Sequence, residues 1–190
     1  SASALASIYF FLYGTPFIYQ GQEIGMTNVK WKNINDMDDI RAKRTYEEAV
    51  GQGKDPEEVL AYFSELGRDN ARTPMQWDDS LSAGFSAARK DKYYIALDES
   101  ADRPNAKTQS EQEDSLRSEV KRLIAFRKAN PALQSKGEIS FVSDDYPLVY
   151  KRTSAEQEIT VIINPGADAV TVPNVNGKVL YTVGGFEGGG

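Results

Sequence analysis

Apolar side chains recur at helical spacing over residues 2–12, at Leu5, Ile8, Tyr9 and Leu12, and Gly14 then stops the pattern. The spacing predicts a short helix. Residues 15–19 form a compact β-branched and aromatic run with no polar alternation, bounded by glycines, which predicts a strand covered on both faces, like an inner strand of a parallel α/β sheet. From 26 to about 36 turn formers dominate, and helical patterning returns at 37–50. Asp55-Pro56-Glu57-Glu58 is a strong helix start, with aspartate at the N-cap, proline where its missing N–H costs nothing, and glutamate at the third helical position. Val59, Leu60, Phe63 and Leu66 are expected to form its apolar face, and Gly67 to end it.

Residues 78–113 read mostly as irregular polar surface, with a candidate short strand at 93–97. Asp114 or Ser115 caps the next expected helix, in which Leu116, Val120, Leu123, Ile124 and Arg127 share a face until Asn130-Pro131 stops it. After Gly137 the pattern changes to short alternating runs at 139–142, 148–152, 159–163, 169–172 and 179–182, punctuated by Pro, Gly and Asn. That grammar predicts a small antiparallel β-sandwich, with a domain boundary near residue 136. The fold class expected is therefore α/β followed by all-β.

Composition narrows the chemistry. The 190 residues are 40% hydrophobic and 26% charged, as in an ordinary globular chain. A net charge of -6 argues against a nucleic-acid partner, which needs clustered Lys and Arg. With no cysteine there is no disulfide frame, which fits a cytoplasmic protein. The chain also has no histidine, which excludes a Ser-His or zinc-histidine mechanism contained within it. The apolar run 8–13 falls well short of the roughly 20 residues of a membrane span and has no basic residues before it, so neither a membrane anchor nor a leader is expected. That abrupt apolar start, and a glycine end at 188–190 that closes no strand, are expected of a piece of a longer protein.

Four adjacent acidic pairs, Asp38/Asp39, Glu57/Glu58, Asp78/Asp79 and Asp144/Asp145, sit in turn or capping contexts. Glycoside hydrolysis needs two carboxyl groups about 5 to 9.5 Å apart across a cleft, and adjacent side chains diverge, so these pairs read as solvated loops or caps. There is no calcium-loop spacing and no glycine-rich phosphate cradle, so no metal and no cofactor is expected. Tyr93, Tyr94 and Tyr181 offer stacking faces, yet most of ten tyrosines in a chain this size serve packing.

The densest signal is Arg68-Asp69-Asn70-Ala71-Arg72-Thr73-Pro74-Met75-Gln76-Trp77. Arg68 and Arg72 are planar, permanently charged forks suited to carboxylates and vicinal hydroxyls; they share a face if the segment is helical and diverge if it is extended. Asp69, Asn70, Thr73 and Pro74 can fix the backbone by side-chain bonds, and Trp77 offers a sugar a stacking face. For an arbitrary pair, surface arginines would be the default reading. A second run, Gly14-Thr15-Pro16-Phe17-Ile18-Tyr19-Gln20-Gly21-Gln22-Glu23-Ile24-Gly25, places Glu23 after the expected strand. There it either serves a site or, as the flanking glycines favour, bonds loop amides; Gln20 has the same standing.

Together these runs closely resemble the late part of an α-glucosidase, in the oligo-1,6-glucosidase-like branch of glycoside hydrolase family 13. The resemblance is dense over 14–29 and 68–86, moderate at 116–133 and weak beyond. It implies the tail of a TIM (β/α)8 barrel over 1–136: seventh helix at 1–12, eighth strand at 15–20, an excursion at about 30–67 and eighth helix at 116–129, with a C-terminal β domain over 137–190. It implies a substrate-pocket role for Arg72 and Arg68 and an α-glucosidic oligosaccharide as substrate. The family's catalytic aspartate, glutamate and third aspartate have no counterpart here, so this chain alone is expected to be inactive. Many relatives carry an acid shortly after the Asp-Ile step where this chain has Arg41, so a strict α-1,6 preference does not carry over. A carbohydrate-binding module and an inactive transporter-escort ectodomain of the same family are the rival readings. A lone eighth strand would expose Phe17, Ile18 and Tyr19, which predicts self-association or dependence on the rest of a barrel.

Overall fold

The computed structural model describes residues 2–88, 93–100, 102–143, 145–185 and 187. They fall into two compact units, one of residues 1–18 with 113–190 and one of residues 19–112.

The first unit holds helix α1 (Ala2–Phe11), helix α5 (Leu116–Ala129) and an antiparallel sheet of β1 (Glu138–Ser143), β2 (Leu148–Thr153) and β3 (Glu158–Ile163), in the order β1-β2-β3. Helix α5 begins where Ser115 Oγ accepts the Ser118 amide and ends at Asn130. Its Val120 and Leu123 meet Phe10, Phe11, Leu133, Tyr150, Val161 and Ile163 in one core. Of the expected apolar positions on α1, Ile8, Tyr9 and Leu12 pack partly against this core and Leu5 is 64% exposed, while Ala6, Phe10 and Phe11 are buried beside them. Phe11 packs with Phe126 and Tyr181 at ring separations of 5.6 and 5.8 Å. Two arginines tie loops to this core. Arg127 donates to the carbonyls of Phe10, Leu12 and Gly14. Arg152 donates to those of Phe11, Gln134, Gly137 and Glu138 at 2.7 to 3.2 Å.

The predicted sandwich is corrected, among the described residues, to a single three-stranded sheet. Residues 139–142, 148–152 and 159–163 are strands, whereas 169–172 and 179–182 pair with nothing in a ladder. Pro173, Gly177 and the left-handed Asn174 (φ 60°) interrupt that stretch, and among the described residues no second apolar layer covers Val170, Val179 and Leu180, which stay exposed. Residues 15–19 are likewise irregular rather than a strand. A strand needs a neighbour to complete its ladder, none of the described residues supplies one, and Phe17 is 86% exposed.

The second unit holds α2 (Ile40–Gly51), α3 (Pro56–Leu66) and the short α4 (Ala106–Ser110). Asp55 caps α3 as expected, accepting the amides of Glu57 and Glu58 at 2.7 and 3.3 Å. Phe63 is buried, and Val59 and Leu60 pack partly against Trp31, Met37, Ala42 and Ile95. Leu66, expected on that face, is 69% exposed. It lies in the last turn, beside Gly67, where a Cβ would come within 2.4 Å of the Phe63 carbonyl oxygen and 2.9 Å of Met37 Cε. The chain therefore passes too close for a side chain just where α3 ends. Residues 93–97 form no strand; Ile95 and Leu97 are buried from an irregular segment. Helix α4, within a stretch expected to be irregular, starts on an Asn105 cap that accepts the Thr108 amide at 2.8 Å.

Candidate functional site

Residues Arg68–Arg72 form one 3-10 turn. With about three residues per turn, positions three apart eclipse and positions four apart diverge by roughly a third of a turn. Arg68 and Arg72 therefore do not share a face. Arg68 Nε lies a loose 3.6 Å from Asp39 Oδ2, with 59% of its side chain exposed. Arg72 Nη1 donates to Asp69 Oδ1 at 3.1 Å, its side chain 36% exposed and that of Asp69 wholly buried.

Asp69 is the hub of the turn. Its Oδ2 accepts the backbone amides of Asp38 and Asp39 at 2.7 and 2.8 Å, leaving Oδ1 for Arg72. An isolated buried carboxylate costs several kcal/mol, and two amides with one guanidinium offset that cost. Asp39 in turn caps α2 by accepting the Arg41 amide at 2.9 Å. Asp38 accepts the Tyr94 hydroxyl, and that bond, followed by partial desolvation, raises the Tyr94 hydroxyl above its ordinary pKa.

The backbone is braced from three further directions. Asn70 Oδ1 accepts the Trp31 indole N–H at 2.9 Å, while its amide nitrogen donates to the Ser64 carbonyl at 3.0 Å at the end of α3. Tyr19 Oη donates to the Ala71 carbonyl at 2.6 Å. Thr73 Oγ1 donates back to the Asn70 carbonyl at 3.2 Å. Beyond the turn Met75 and Gln76 are buried and Trp77 is half exposed. Trp31 also lines a cleft of about 620 Å³, with Lys30, Tyr93 and Asp98 on its walls.

The loop after Tyr19 is a backbone device. Gly21 has φ 94°, and a Cβ there would lie 2.5 Å from Met26 Sδ. Glu23 Oε2 accepts the Gly21 amide at 2.8 Å, the amide-bonding role its flanking glycines favoured. Sequence reasoning named the two arginines and Trp77 but not the burial of Asp69, nor the parts of Tyr19, Trp31 and Asp38. An acid between two arginines reads as a turn former, and nothing in the local pattern marks it as a buried hub. Asp144 and residues 188–190 lie outside the described residues. Among the described residues, no three His, Cys, Asp or Glu side chains are arranged to hold a metal, and no helix is long and apolar enough to cross a membrane.

Residues 1–136 match the family described as alpha amylase, catalytic domain. An oligo-1,6-glucosidase of Parageobacillus thermoglucosidasius is 40% identical over 167 residues, covering 86% of this chain and 29% of that protein. Among solved structures, trehalose-6-phosphate hydrolase of Bacillus licheniformis superposes with a TM-score of 0.76 at 32% identity, covering 85% of this chain and 29% of its own. A mutant isomaltulose synthase of Erwinia rhapontici, in complex with D-glucose, superposes with a TM-score of 0.73 at 34% identity, covering 86% and 29%. The chain thus spans less than a third of the length of these relatives.

Proposed function

Because the chain belongs to the alpha-amylase family, glycoside hydrolase family 13, we propose that it is the rear portion of an α-glucosidase-type hydrolase acting on terminal α-glucosidic bonds of oligosaccharides in the cytoplasm. In this reading residues 1–136 complete the catalytic domain, and 137–190 are a C-terminal β region whose sheet shares a core with α1 and α5. Arg72 and, more weakly, Arg68 bind the sugar, and the nucleophile and acid/base are carboxylates outside these 190 residues. The exposed Phe17 then packs against the rest of the barrel, or against a second copy when that is missing.

One observation carries the reading. Arg72 is an arginine with 36% of its side chain exposed, presented from a turn braced on Asp69, Asn70 and Tyr19, and rigid presentation of a multi-donor cation suits vicinal hydroxyls. The relatives' names span an oligo-1,6-glucosidase, a trehalose-6-phosphate hydrolase and an isomaltulose synthase, so the proposal stops short of a linkage.

The test uses the product of the complete reading frame with p-nitrophenyl α-glucoside. Turnover is expected, and Arg72→Ala should lower kcat/KM by roughly 10- to 100-fold, the worth of one or two charge-assisted hydrogen bonds. The 190-residue chain alone should not turn over. Hydrolysis by the isolated chain, or an Arg72→Ala enzyme as active as its parent, would refute the assignment.

A further inference from the structure

We infer that Asp69 is the positioning residue for Arg72, fixing the orientation in which this guanidinium meets a ligand; the inference deepens the reading above and rests on it. The carboxylate divides its work between its two oxygens. Oδ2 takes both amides, of Asp38 and Asp39, and by itself satisfies the loop that enters α2. Oδ1 goes to Arg72 Nη1, so the guanidinium is tied to a group that is itself immobile and shielded from water.

The 3-10 geometry makes this division specific. Positions 69 and 72 are three apart and eclipse, whereas Arg68 stands a third of a turn away from Arg72 and reaches Asp39 only at 3.6 Å. One arginine is held and the other is loosely held. A free arginine side chain samples many rotamers, a freedom that a ligand would otherwise have to remove on binding. Asp69 removes part of it in the free protein, so its effect belongs to ligand binding and runs through Arg72.

A double-mutant cycle in the full-length enzyme tests this, with Asp69→Asn, Arg72→Ala and both together on p-nitrophenyl α-glucoside. Asp69→Asn should raise KM about tenfold with kcat changed less than about threefold, and the double variant should be no worse than Arg72→Ala alone. Independent, multiplying effects, or an Asp69→Asn enzyme with unchanged KM, would show a merely structural acid. If Asp69→Asn does not fold, the wild-type protein still decides. Phenylglyoxal labelling followed by peptide mass spectrometry should modify Arg68 more than about fivefold faster than Arg72, well beyond the ratio of their exposures. Equal rates would overturn the inference. That readout needs no turnover: a wild-type enzyme inert on the glucoside sinks the functional reading, while labelling still rules on Asp69.

Discussion

Arg152, in the unit that contains the sheet, and Asp69, in the unit that contains the arginine turn, are both fully buried charges (0% exposed), and their surroundings are built differently. Arg152 spends its donors on four backbone carbonyls, of Phe11, Gln134, Gly137 and Glu138, and reaches no carboxylate among the described residues. Burial, and then the Arg127 charge, lowers its pKa. Such an arginine is a staple: it gathers chain segments and offers nothing outward. Asp69 spends one oxygen on two amides and passes the other to a cation that solvent can reach. A buried charge whose hydrogen-bond partners are all backbone stabilises a fold. One that ends on an exposed side chain also sets where that side chain points.

The comparison breaks most visibly at the staple. Arg152→Met should cost about 4 kcal/mol by urea denaturation, since it strands several buried acceptors at once. A loss under about 1 kcal/mol would mean that the carbonyls have other partners, and the contrast with Asp69 would fail. Next, Arg72→Ala should cost about 1 to 3 kcal/mol, because it leaves the Asp69 carboxylate with amides alone, while Arg68→Ala should stay within about 1 kcal/mol. Equal losses would erase the distinction between held and loosely held arginines. The smallest effect sharpens the comparison within the sheet-bearing unit. There Glu119 accepts Arg122 Nη2 at 2.6 Å and the Tyr181 hydroxyl at 2.7 Å. Burial, reinforced by the Glu119 bond, pushes the Tyr181 hydroxyl up to about 12 from its ordinary 10.0. The unfolded chain therefore releases this proton first as pH rises, so stability is full below about pH 10 and falls until about pH 12. Tyr181→Phe should flatten that stretch of the stability-pH curve.

Local chemistry was the legible part of the sequence. The Asp55 and Ser115 caps, the stop at Asn130 and the three strands from 138 to 163 all depend on neighbours a few residues away or on a short alternation. What misled were segments whose state depends on distant partners. Residues 15–19 carry strand-like side chains but no ladder, and 169–172 and 179–182 alternate without a second layer to bury them. On α1 the apolar period held for Ile8, Tyr9 and Leu12, whereas Leu5 turns out to solvent and the larger Phe10 and Phe11 take the buried positions. At the candidate site Arg68, Arg72 and the amide-bonding Glu23 could be named from spacing, whereas the Asp69 connections to residues some thirty positions back could not.

Tyr19 bears on how this corner of the protein moves. Its hydroxyl clasps the Ala71 carbonyl across 52 positions of sequence, and its own amide donates to Gln22 Oε1, so the glycine loop and the arginine turn share one mechanical linkage. The aromatic at position 19 thus fastens the glycine loop to the turn that carries Arg72, besides offering a surface.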